Sequence, residues 1–86
     1  PKLAMALYQM GRISHARGQH FRARGYLQRL FDMGTKSAES LALAVRNELK
    51  LGAKDLVKQY AQQLRSEFPG SPESRDIDRL LTNAND

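Results

Sequence analysis

The sequence predicts an all-α chain of two helical hairpins followed by one C-terminal helix. Three observations carry that prediction. Apolar residues recur at helical spacing almost throughout, strand-type alternation is absent, and glycine- or proline-bearing breaks fall at even intervals. The helices expected from these breaks cover about 2–17, 21–33, 37–51 and 54–68, with a fifth beginning at Ser71.

In the first helix Leu3, Leu7, Met10 and Ser14 form one stripe, with Ala4 and Gly11 beside it, and Gly18 ends the pattern. The second carries Ala23, Leu27, Leu30 and Phe31 and stops at Gly34-Thr35, the third stops at Gly52, and the fourth at Pro69-Gly70. The fifth has its own start signal: Ser71 can accept from an orphan amide, Pro72 has φ preset for a first turn, and Glu73 complements the helix dipole. Its apolar side is Ile77, Leu80 and Leu81, and the polar tail after Thr82 is expected to fray.

A shift of 34 residues superimposes the chain on itself, carrying Gly18 onto Gly52, Leu7 onto Leu41, Arg12 onto Arg46, Tyr26 onto Tyr60 and Leu30 onto Leu64. Helix-turn-helix units at this period are the signature of the tetratricopeptide repeat. Its motif positions fall on Leu7, Met10, Gly11, Ser14, Ala23 and Leu27 in the first unit and on Leu41, Ala44, Val45, Glu48, Val57 and Ala61 in the second, which Pro69 closes. Gly11, Gly18 and Ala23 are the small residues expected to let two helices approach. The expected organisation is a tetratricopeptide-repeat solenoid fragment: one repeat over 1–34, a second over 35–69, and a capping helix with its tail over 70–86. A hairpin of this kind does not bury its face alone. Pro1 shares its repeat position with Pro69, so the sequence leads us to expect preceding repeats upstream, or self-association through the first hairpin's exposed face.

The net charge of +5 is concentrated. Residues 1–35 hold Lys2, Arg12, Arg17, Arg22, Arg24 and Arg29 against Asp32 alone, which accounts for all of it, and the remainder is balanced. A basic stretch is either a solvated helix face or a surface for an acidic partner. Nucleic acid is not the expected partner, because aromatics able to stack on bases are few.

No enzyme, cofactor or metal is expected. The absence of cysteine excludes thiolate catalysis and zinc-finger ligation, and no nucleophile elbow or phosphate-binding glycine loop is present. His15 and His20 lie five apart, missing the i, i+4 spacing of a helical metal pair, so they are read as ordinary surface histidines. Recognition remains. The first helices of such hairpins line a concave surface, where Tyr8, Arg12 and His15 from one repeat and Ala42, Arg46, Leu49 and Lys50 from the next are the candidate partner-binding residues. Arg12 and Arg46 stacked in one groove would suit a carboxylate-bearing segment. Tyr26 and Tyr60 are expected to pack between hairpins.

The stretches from Arg17 through Leu30, Glu39 through Arg46, and Tyr60 through Ser74 resemble the C-terminal repeats of the type IV pilus biogenesis and stability proteins, the PilF/PilW pilotins. The resemblance covers most of residues 17 to 75. It implies a non-enzymatic scaffold at the periplasmic face of the bacterial outer membrane that helps the pilus secretin localise and assemble, or stabilises the fibre. Membrane attachment would come only through an N-terminal lipid anchor that these residues do not include.

Overall fold

The computed structural model describes residues 1–84 and is helical, with no strand among them. Five helices follow one another: α1 (Lys2–Ala16), α2 (His20–Asp32), α3 (Ala38–Leu51), α4 (Lys54–Glu67) and α5 (Pro72–Ala84). Each boundary lies within a residue or two of its expected place. The polar tail differs, because α5 continues through Asn83 and Ala84 where fraying was expected; Asn85 and Asp86 lie outside the described residues.

Two of the helices, α1 and α3, end where the chain turns left-handed. Gly18 (φ 78°) and Gly52 (φ 70°) close α1 and α3 with one and the same pair of bonds. Gly18 N–H donates to His15 O and Gln19 N–H to Ser14 O; Gly52 N–H donates to Leu49 O and Ala53 N–H to Glu48 O. These are Schellman caps, repeated 34 residues apart. A Cβ on Gly18 would meet nothing within 4 Å, so this glycine serves the backbone turn and does not admit a neighbouring helix as expected. Gly52→Ala should therefore lower stability by about 1 kcal/mol through backbone strain alone. Urea denaturation checks this, and an unchanged midpoint would contradict it.

Starts repeat as well as ends. Ser37 Oγ accepts from Ser40 N–H at 3.0 Å, and Ser71 Oγ accepts from Ser74 N–H at 3.1 Å. At α3 the bond is reciprocated from Ser37 N–H to Ser40 Oγ, forming a capping box. The equivalent segments, Ser37-Ala38-Glu39-Ser40 and Ser71-Pro72-Glu73-Ser74, mark α5 as standing where the first helix of a further repeat would stand.

α1 pairs with α2 and α3 with α4 as hairpins, while α3 also touches α1, α2 and α5, placing it at the centre. The core runs through Leu7, Leu27, Leu30, Leu41, Val45, Val57, Leu64 and Ile77. In the first hairpin Gly11 lies at the crossing: an added Cβ would meet Leu27 Cγ at 3.2 Å and Cδ2 at 3.3 Å. The same two repeat positions in the second hairpin hold Val45 and Ala61, both buried. Bulk is exchanged between the two helices while the crossing stays filled.

Leu3 and Met10 depart from the stripe expected of them and remain exposed. Met10 is the repeat equivalent of Ala44, which is buried.

Candidate functional site

α3 packs against both α1 and α5. Between them lies a groove of about 280 Å³. Four of the expected partner-binding residues line it: Tyr8 and Arg12 from α1, Ala42 and Arg46 from α3. Their positions follow from helical phase, since these side chains sit one step round from the buried Leu7 and Leu41. The groove also contains Glu39 of α3 and Glu73 and Asp76 of α5, which the sequence reading had not placed there. The expected basic groove is thus a two-signed one. A second cavity, also about 280 Å³, shares Tyr8 and Glu39 with the first and adds Ala4, Met5, Leu30 and Thr35. The charged groove and this apolar notch thus share Tyr8 and Glu39 in their walls.

Neither arginine is spent on an intramolecular ion pair among the described residues. Arg12 Nε donates to Gln9 Oε1 at 2.9 Å, while Asp76 takes Arg79 at 3.1 Å. The remaining expected residues lie elsewhere. Leu49 is half-buried against the core, and Lys50 is exposed without lining the groove. His15 turns instead into the joint between hairpins.

That joint is polar and corrects the reading of His15 and His20 as ordinary surface histidines. Both are half-buried, and both Nδ1 atoms reach the Oδ1 of Asn47, at 2.9 and 3.0 Å. Asn47 Nδ2 donates to the His20 carbonyl at 2.8 Å, which fixes which amide atom is oxygen. Each histidine must then carry a proton on Nδ1. Asn47 is fully buried, so all of its bonds matter. One turn along, Arg24 of α2 reaches Glu48 of α3 with two guanidinium nitrogens, Nε to Oε2 at 3.1 Å and Nη2 to Oε1. Glu48 is 2% exposed. Its hydrogen bond to Arg24 holds the guanidinium pKa above its already high ordinary value, and the Phe21 ring covers the guanidinium at 5.3 Å.

At the other end of the joint Tyr60 stacks obliquely on Phe31, ring centroids 5.5 Å apart. Burial, with the Glu48 charge nearby, pushes the Tyr60 hydroxyl pKa up and keeps the ring neutral. Tyr60 thus packs between hairpins as expected. Tyr26 is half-buried against the core from within the first hairpin.

The sequence held one signal for this joint: Glu48 lies at a core register position, seven after Leu41 and three after Val45. A charge at such a position implies a buried partner. Among the described residues no group of three His, Cys, Asp or Glu is arranged to hold a metal, and no helix is long and apolar enough to cross a membrane.

Comparison with protein-family models, curated proteins and solved structures gives no match.

Proposed function

We propose that this chain is a non-enzymatic protein-binding scaffold whose concave groove takes an extended segment of a partner, and that it serves type IV pilus biogenesis by assisting the outer-membrane secretin. The observation that carries the binding role is the groove itself. Two unspent arginines and three carboxylates line it, and an apolar notch shares its wall at Tyr8 and Glu39. Such a surface selects a segment with an acidic side chain or terminal carboxylate for Arg12 and Arg46, a basic residue for Glu39, Glu73 and Asp76, and an apolar anchor beside Met5. The three carboxylates would repel a phosphate backbone, which argues against nucleic acid. Support for the pilus assignment, and for the periplasmic face of the outer membrane as its place, comes from the resemblance of residues 17 to 75.

The test is retention of the secretin from detergent-solubilised membranes on the immobilised chain. Arg12→Glu and Arg46→Glu should each weaken capture about tenfold, the scale of losing a charge-assisted hydrogen bond. If no secretin is retained, the pilus assignment falls. If capture is unaffected by both variants, the groove is not the binding surface.

A further inference from the structure

The first hairpin carries a second apolar stripe that none of the described residues covers. Leu3, Ala6, Met10 and Ile13 follow one another at i, i+3, i+7 and i+10 on α1, and Leu3, Met10 and Ile13 remain 54%, 43% and 42% exposed. This is the spacing of a helix-packing seam. The repeat shows what such a seam receives. The 34-residue equivalents of Ala6, Met10 and Ile13 are Ser40, Ala44 and Asn47, all buried on the side of α3 that meets the first hairpin. On α3 that side is covered by α2, as the bond donated by Asn47 to the His20 carbonyl and the bond donated by Arg24 to Glu48 record. The stripe on α1 is therefore shaped to take a helix laid as α2 lies on α3.

Charge identifies the occupant. On α4, Leu56, Tyr60 and Gln63 share one face, and Tyr60 meets Phe31 of the preceding hairpin. The equivalents on α2 are Arg22, Tyr26 and Arg29, so two exposed arginines stand where the second hairpin has an apolar and a neutral residue. With Lys2 and Arg17 at the ends of α1, helical phase puts four exposed cations beside the seat. A second copy would oppose these cations to an identical set. Nor could α5 of another copy fill the seat, since its outward side is Arg75, Asp76, Asp78 and Arg79.

We propose that the outer face of the first hairpin docks an amphipathic helix with an apolar stripe and acidic flanks, at a surface separate from the concave groove. The probe is a designed helical peptide with leucine at i, i+3, i+7 and i+10 and glutamate on both flanks, compared with a twin carrying lysine for each glutamate. Fluorescence anisotropy on the whole chain should show the glutamate peptide binding at least tenfold tighter, with the gap narrowing as salt is added. Ile13→Glu should abolish binding with the helical circular dichroism unchanged, and Arg22→Glu with Arg29→Glu should invert the preference between peptides. Arg12→Glu should leave it intact, which separates this surface from the groove. Equal binding of the two peptides, binding of neither, or loss through Arg12→Glu would overturn the proposal. So would a concentration-dependent dimer, by sedimentation, that Ile13→Glu returns to monomer, because the face would then belong to a second copy.

Discussion

Arg24→Met should destabilise the chain by about 3 kcal/mol, at the lower end of the range for breaking one side of a buried ion pair. The reason is the asymmetry of the pair. The Arg24 side chain is 25% exposed and can turn toward water, whereas Glu48 at 2% cannot, so losing the arginine strands a buried carboxylate. Glu48→Met should cost less, about 1 kcal/mol, because the freed guanidinium can rehydrate. The double variant Arg24→Met, Glu48→Met should return to within about 1 kcal/mol of the parent, since an apolar pair of similar volume substitutes well for a buried ion pair. Urea unfolding of the four proteins measures all three quantities. A double variant as unstable as Arg24→Met would show that the cost lies in lost packing of the arginine stem, and would remove the stranded charge from the account. The pair and Asn47 together tie α2 to α3 across the joint between the hairpins.

Exchanging bulk across the first hairpin's crossing should restore what either half of the exchange takes away. Leu27 is 2% exposed, so Leu27→Ala alone should cost about 3 kcal/mol in lost burial and cavity. Gly11→Val alone forces atoms into a site where even a Cβ would come within 3.2 Å of Leu27, and should cost about 2 kcal/mol. Together they recreate the Val45 and Ala61 pairing of the second hairpin, and the double variant should be more stable than the sum of the singles by about 2 kcal/mol or more. Thermal unfolding of the cycle checks this. Additive losses would mean that the two hairpins cross at different distances and that the second is no template for the first.

The elements were legible because their signals are local. Helical spacing, glycine at left-handed caps and the serine before Pro72 act within a few residues, and the 34-residue shift exposed the repeat because equivalent turns use equivalent bonds. The concave candidates were legible in part. Helical phase alone places Tyr8, Arg12, Ala42 and Arg46 on the groove. It could not place Glu73 and Asp76 there, because that depends on the angle at which α5 returns beside α3. Leu49 and His15 went astray for a related reason: residues at the edge of a helical face are claimed by whichever neighbour reaches them first.

By itself, then, the sequence determined the number of helices, their ends, the period that relates them and the sidedness of the charge. All of these follow from backbone preferences and from spacing along one chain. The tertiary structure alone decided that His15 and His20 share Asn47, that Arg24 neutralises Glu48, and that the groove holds both signs of charge. The hydrogen bonds among them join residues 24 to 32 positions apart, the groove gathers residues from Tyr8 to Asp76, and directional polar contacts form only once packing has fixed the distance and angle between helices.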